Sequence, residues 1–227
     1  MRLLIQDIPF RPQPAEVAAL QGLAVSDMAD ALSDSANRST GVLRLWSKPS
    51  TRLLGTAFTV QLPDGDHLVL QKAIDLARPG DVLVVRAGGE GGLAAVVGEI
   101  MTRWAMARGL AGFVIDGCIR DVDFISGHEW PVYARALNPK GPTRVGPGVM
   151  NERVIVGGMT VDPGDIVCGD PDGLVCIPRQ EVREVPEKVQ ALMLRQRAQI
   201  TKIDEGTFDR SWVDQALAAG QSRPSPS

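Results

Sequence analysis

Two rhythms of apolar positions alternate along this chain. Leu53–Gln61 and Val82–Val85 are compact runs rich in β-branched residues, which predicts strands, and between them Leu68–Leu76 carries its apolar residues at helical spacing. A third run, Phe113–Ile115, follows a stretch in which Leu93, Val96, Val97, Ile100, Trp104 and Ala107 recur at helical spacing. Strand, helix and strand there make a βαβ unit, and a crossover of this length between neighbouring parallel strands is right-handed. Farther on, Val132–Ala134, Val154–Val156, Met159–Val161, Ile166–Cys168 and Leu174–Ile177 read as short strands, joined in part by the turns Asp162-Pro163-Gly164 and Pro171-Asp172-Gly173. At the ends, Ala15 to about Asp34 predicts a helix able to cross a neighbouring subunit. Gln180 to about Asp204 predicts a long charged helix interrupted near Pro186, and 220–227 a disordered tail of Gly, Ser and Pro. The whole reads as one α/β domain over residues 1–219, with an N-terminal helical extension over about 1–40 and a C-terminal helix over about 180–204.

The βαβ unit carries the chemistry. A glycine-rich loop, Gly88-Gly89-Glu90-Gly91-Gly92, follows the strand at Val82–Val85, and Arg120-Asp121 follows the strand at Phe113–Ile115. Both therefore leave the carboxyl edge of the sheet, where open α/β folds bind ligands. Main-chain amides of such a loop suit a carboxylate or phosphate, and glycine allows close approach. Gly89 to Ala94 also satisfies G-x-G-x-x-A, with Asp116 where a ribose-binding acid would sit. The short β segments beyond Pro147 are not the alternating series of a dinucleotide fold, and a tight turn packing helix on strand is a further alternative. Arg120 offers a planar cationic fork and Asp121 hard oxygen for Mg²⁺ or Mn²⁺. A small 2-oxo acid presents targets for both: a keto and a carboxylate oxygen for the cation, and a carboxylate or developing oxyanion for the arginine. The alternative is that Asp121 caps a helix beginning around Val122, with Arg120 a solvated neighbour.

Other chemistries lack their residues. A Schiff base needs a lysine of lowered pKa in an apolar pocket. Lys72 shares its helix with Asp75, Lys140 lies in a Pro/Gly loop, and Lys188 and Lys202 belong to a polar helix. Ser126, Cys118 and His128 cluster without a G-x-S-x-G elbow, and a buried cysteine is the ordinary reading of Cys118. The net charge of -3 and the absence of a basic stripe exclude nucleic acid as the main partner. Three cysteines without metal spacing or even pairing indicate a reducing cytoplasm. Asp7 and Pro9 follow the first apolar residues too soon for a signal peptide, and no uncharged run approaches membrane-spanning length.

The order Gly98-Glu99, Ala107-Arg108-Gly109, Val114-Ile115-Asp116-Gly117 and Arg120-Asp121 resembles the RraA-like family, which includes class II 4-hydroxy-4-methyl-2-oxoglutarate aldolases with oxaloacetate decarboxylase activity. The likeness continues in Val25–Leu32, Ala77–Val85, Pro131–Arg135, Val161–Asp165 and Asp170–Gly173, and covers residues from about 20 to about 205. The resemblance implies a swivelling β/β/α core with flanking N- and C-terminal helices, assembled as homotrimers or homohexamers. It implies that Asp121 is the direct ligand of Mg²⁺ (or Mn²⁺), that Arg120 contacts substrate and enolate, and that Glu99 holds catalytic water. Substrate carboxylate would meet the loop Gly91, Gly92, Leu93, Ala94 and Ala95. Either Glu205 or Asp209 would enter a neighbouring subunit's site. The family's signature acid is often Asp, so Glu99 is one methylene longer, and an ion pair of Glu99 with Arg103 or Arg108 is its competing role. The implied activity is cleavage of 4-hydroxy-2-oxo acids to pyruvate. The rival from another class is a non-enzymatic regulator that binds an RNA-degrading endonuclease.

Overall fold

The computed structural model describes residues 3–32, 38–88 and 94–221. Contacts divide the chain into two units, Met1–Val189 and Gln190–Ser227. The first begins with β1 (Leu4–Ile5), α1 (Pro14–Ala18), α2 (Val25–Ala31), β2 (Ser39–Thr40), β3 (Arg44–Leu45), β4 (Leu53–Gln61), α3 (Leu68–Leu76) and β5 (Asp81–Arg86). There follow β6 (Ala95–Val97), α4 (Glu99–Ala107), β7 (Gly112–Ile119), α5 (Val122–Ser126) and β8 (Val132–Leu137). Next come β9 (Val149–Met150), β10 (Val154–Val156), β11 (Met159–Val161), β12 (Ile166–Asp170), β13 (Gly173–Ile177) and the start of helix α6 (Val185–Asp204); the second unit holds the rest of α6 and helix α7 (Ser211–Gln221).

The central sheet is mixed and runs β2-β13-β12-β4-β5-β7-β8-β3. Strands β4, β5, β7 and β8 are parallel, with Val84 opposite both Thr59 and Val114. The segments between these strands contain α3, α4 and α5 in turn, as parallel neighbours require. Strands β12 and β13 form an antiparallel hairpin, in which Gly173 at φ +138° supplies a backbone conformation that L side chains rarely adopt.

The parallel strands are apolar without interruption because both faces are covered. Leu83, Val85, Phe113 and Ile115 pack with Leu70, Ala73 and Ile74 of α3 and Ala105 of α4. Their neighbours Val82, Val84 and Val114 join Tyr133 and the β10–β11 hairpin, through Val154, Val156, Met159 and Val161. Asp116, the candidate ribose acid, accepts from Arg135 Nε at 2.6 Å and from the Gly157 amide at 2.6 Å, so its carboxylate ties that hairpin to the sheet.

Several boundaries differ from the sequence reading. The expected helix from Ala15 is two short helices, with Gly22 at φ +82° between them. Val96 and Val97 belong to β6, which pairs with the end of β7, so the crossover helix begins only at Glu99. The strand expected at Phe113–Ile115 runs on through Gly117-Cys118-Ile119, so the chain leaves the sheet at Arg120. Helix α6 starts at Val185, so Pro186 lies in its first turn, where its missing N–H costs nothing, and does not interrupt it. Helix α7 was not anticipated; Asp209 starts it by accepting from the amide and hydroxyl of Ser211 at 2.8 and 3.0 Å. Among the described residues, no helix is long and apolar enough to cross a membrane.

Candidate active site

Strand β7 delivers Arg120 and Asp121 to the carboxyl edge of the sheet. Asp121 has φ 57° and ψ 42°, a left-handed conformation uncommon for a residue with a Cβ and tolerated best by Asn, Asp and Gly. It occupies the N-cap position of α5, and its carbonyl accepts from Phe124 N at 3.1 Å. Its side chain does not cap that helix. The carboxylate instead turns across to α4, where Oδ2 accepts from the Glu99 amide at 2.8 Å. One acid therefore starts two helices, α5 through its main chain and α4 through its side chain. Arg120 Nε stands 3.8 Å from the same Oδ2, and both side chains are 43% exposed, so a ligand can reach the pair.

Gly98 makes this arrangement possible. A Cβ at that position would overlap Asp121 Oδ2 and come within 3.0 Å of Arg120 Cγ and 3.2 Å of Arg120 Nε. From the other side, the segment after β8 closes over Arg120: a Cβ on Gly141 would lie 3.1 Å from Arg120 Nη1. That segment is held by Asn138 N donating to Ile119 O at 3.1 Å and by Ala95 N donating to Lys140 O at 2.9 Å.

Glu99 and Ala95 each have a partner within the protein. Glu99 is brought to Asp121 by its amide only; its side chain turns along α4 to Arg103 Nε at 2.7 Å, the competing ion pair foreseen above. That pair is exposed rather than buried, and the Arg103 guanidinium lies over the Phe124 ring at 4.2 Å. Ala95 is buried, and its amide donates to Lys140 O at 2.9 Å. Ala94 is buried beside it, while Gly91, Gly92 and Leu93 lie outside the described residues.

Arg120 and Asp121 line a cavity of about 110 Å³ together with His67, Gln71, Val96 and Arg144. His67, Gln71 and Arg144 escaped the sequence reading; the one available signal was that His67 is one of only two histidines. His67 is 6% exposed, with Nδ1 3.2 Å from Val96 O and Nε2 2.8 Å from Gln71 Nε2 and 3.2 Å from Arg144 Nε. A carbonyl only accepts and a guanidinium only donates, so the proton is on Nδ1 and the ring is neutral. Burial, joined by Arg144 and Arg120, holds the His67 pKa below the usual imidazole value against the Val96 carbonyl and Asp66, which raise it. Asp66 holds the residues beside His67 and Arg144, accepting from Leu68 N, Thr143 Oγ1 and Val145 N at 2.9, 2.8 and 2.6 Å. Burial raises the Asp66 pKa, but these bonds together outweigh it and bring the carboxyl below its usual value.

A depressed histidine pKa means the unfolded chain binds more protons than the folded one just below pH 6.5, so stability falls as pH drops through that window. Urea unfolding between pH 7.5 and 5.5 is expected to show a steeper loss for the wild type than for His67→Gln, and equal slopes would contradict the buried neutral ring.

The His128 ring lies against Phe124 and bonds its carbonyl at 2.7 Å, while burial, with Asp64, raises the Cys118 thiol pKa.

The RraA-like family model, described as Aldolase/RraA, matches residues 25–176 and so includes the whole cavity wall. The chain belongs to the RraA-like family. One relative of this RraA-like chain, from Halalkalibacterium halodurans and named "Putative 4-hydroxy-4-methyl-2-oxoglutarate aldolase", is 33% identical over 72% of this chain and 76% of its own. Among solved structures, an uncharacterized protein from Pseudomonas syringae pv. tomato superimposes with a TM-score of 0.73 at 28% identity, covering 87% of this chain and 96% of that one. The RNA-processing inhibitor RraA from Thermus thermophilis gives 0.62 at 27% identity, over 68% and 92%. The RraA-like fold is thus a mixed α/β architecture with a central mixed sheet and C-terminal helices.

A divalent cation is the group this family implies. Among the described residues, no three His, Cys, Asp or Glu side chains gather to enclose a metal ion. A lone, half-exposed carboxylate still fits Mg²⁺, which keeps several waters and takes one or two carboxylates plus substrate oxygens.

Proposed function

We propose that this chain is a divalent-metal-dependent lyase that cleaves 4-hydroxy-2-oxo acids to pyruvate by retro-aldol chemistry, with oxaloacetate decarboxylation as a second activity. The observation that carries the reading is Asp121, held in a left-handed conformation with its carboxylate at a small cavity beside Arg120. Strained non-glycine backbone persists where the surroundings impose it, and such positions cluster at functional sites.

Breaking the C3–C4 bond leaves the bonding electrons on the pyruvyl half, while the C4 hydroxyl loses its proton and C4 becomes a carbonyl carbon. A divalent ion at Asp121 would act as the Lewis acid that stabilises the resulting charge on the keto oxygen. Arg120 supplies a fixed cation to the same charge, or to the neighbouring carboxylate, by a planar fork that needs no reorganisation. Glu99 is the candidate to hold water for the proton transfers, after leaving Arg103. That surface ion pair is worth about 1 kcal/mol or less, so the rotation is cheap. In oxaloacetate the same electron pair is left behind by departing CO2, so the same cationic groups serve.

Pyruvate release from 4-hydroxy-4-methyl-2-oxoglutarate and from oxaloacetate, followed with and without Mg²⁺, tests the reading; EDTA is expected to abolish turnover and added Mg²⁺ to restore it. The likeness to the Thermus protein named as an RNA-processing inhibitor favours a second reading, a regulator acting through its surface. Inertness toward both acids, with formation of a stable complex with an RNA-degrading endonuclease, would decide for it. Trimeric or hexameric assembly, and completion of the site by Glu205 or Asp209 of a neighbouring copy, belong to the lyase proposal.

A further inference from the structure

We propose that His67 is a pH-sensitive positioning residue: as a neutral ring it holds the Arg144 side chain against the cavity wall, and on gaining a proton at Nε2 it releases that side chain. The inference concerns how the site is regulated, and only its turnover arm rests on the lyase reading.

His67 lies where three parts of the chain meet. Its Nδ1 donates to Val96 O of β6 at 3.2 Å, its amide donates to Thr143 O in the segment after β8 at 3.2 Å, and Nε2 accepts from Gln71 Nε2 of α3 at 2.8 Å and Arg144 Nε at 3.2 Å. A neutral imidazole offers one lone pair, and two donors converge on it here. A proton at Nε2 would turn that acceptor into a third donor. The two neighbours then answer differently. Gln71 can turn its amide and present the carbonyl oxygen, whereas a guanidinium has no acceptor atom, so Arg144 must leave.

Little else keeps the Arg144 side chain in place. Among the described residues its one side-chain hydrogen bond is the bond to His67, it makes no ion pair, and the residue is exposed. The main chain on either side stays fixed, because Asp66 accepts from Thr143 Oγ1 at 2.8 Å and from Val145 N at 2.6 Å. Protonation therefore frees one side chain without unfolding the segment that carries it. Arg144 borders the same cavity of about 110 Å³ as Arg120 and Asp121, so its departure opens the wall beside the groups that must be aligned for reaction.

The charge of an imidazolium at this position meets more cation than free anion. Arg144 and, at the end of β7, Arg120 oppose it, while Asp66, which favours it, is already engaged by Leu68 N, Thr143 Oγ1 and Val145 N. Asp121, the other carboxylate at the cavity, accepts from the Glu99 amide and has Arg120 Nε 3.8 Å away. The cavity groups from α3 and α4, Gln71, Ile100 and Met101, carry no charge. With the ring 6% exposed, burial adds its own cost and is the largest cause that keeps the pKa below 6.5. Arg144 is thus held at neutral pH and let go on acidification.

The presence of only two histidines makes the test direct. Long-range proton–nitrogen NMR of the full chain, with His128→Gln to assign the signals, is expected to show His67 protonated on Nδ1 at pH 7.5 and titrating below pH 6.5. In Arg144→Met, which removes the displaced cation, the midpoint should rise toward 6.5, because the coupling is reciprocal. In turnover, kcat/KM for pyruvate release from oxaloacetate should fall about tenfold per pH unit below the wild-type midpoint. That acid limb should disappear in His67→Gln, whose side-chain carbonyl can still accept from Arg144 but takes up no proton. A ring of structural importance alone would titrate alike with and without Arg144, and an unchanged midpoint in Arg144→Met, or an Nε2–H tautomer at neutral pH, would overturn the inference. An acid limb retained in His67→Gln would overturn it too. If wild type releases no pyruvate at any pH, the lyase reading falls, and the Arg144→Met midpoint by itself decides this inference.

Discussion

Asp121→Asn is expected to lower pyruvate release by about a hundredfold to a thousandfold, the scale on which one preorganised electrostatic contact acts. Asparagine is chosen because it shares the tolerance of aspartate for the left-handed region and can still accept from the Glu99 amide. The backbone turn and the start of α4 therefore survive, with a stability change of about 1 kcal/mol or less. What disappears is the charge and the hard anionic oxygen that Mg²⁺ prefers. Coupled pyruvate assays and thermal unfolding on the same preparations check the two halves. Near-normal turnover in a folded Asp121→Asn protein would remove Asp121 from the chemistry and leave it as the two-helix cap that the hydrogen bonds describe.

Gly98→Ala is expected to lower kcat/KM by about ten- to a hundredfold while the unfolding midpoint stays close to that of wild type. Gly98 has extended backbone angles, φ -151° and ψ -164°, which any residue adopts, so alanine brings no conformational penalty there. The effect comes from the added methyl, which overlaps Asp121 Oδ2 and crowds Arg120 Cγ and Nε. Both side chains are half-exposed and can swing away, so the fold survives and the geometry does not. Displacements near 1 Å cost about a hundredfold when reacting groups must be aligned. Equal activity in Gly98→Ala would mean that the observed closeness of these three residues is not needed for turnover.

Much of the frame was legible because it rests on short-range rules. Leu53–Gln61 and Leu68–Leu76 have the expected bounds, and the parallel pairing of β5 with β7 follows from a strand, a long connection and a second strand. Strand β6 was not legible. Ala95, Val96 and Val97 are apolar on every side because they are buried against the end of β7, and a continuous apolar run in three residues fits helix and strand equally. The break at Gly22 was passed over because one glycine inside a helical pattern is tolerable, and only the packed chain reveals its positive φ. Glu99 received its role from the family resemblance, but a motif in linear order does not set a side-chain rotamer, and Arg103 one turn along the same helix competes for it.

By itself the sequence determined the strand and helix alternation, the carboxyl edge that Arg120 and Asp121 must occupy, and the family, because each depends on neighbours within a few residues or on a motif in linear order. Only the tertiary structure decided what surrounds that edge. His67, Arg144 and Gly98 are separated from Asp121 by tens of positions, and they meet it because β6, α3 and the segment after β8 converge above the end of β7. No periodicity records such a meeting. It is fixed by the packing of apolar faces far from the cavity, and the polar groups at the edge go where those faces carry them.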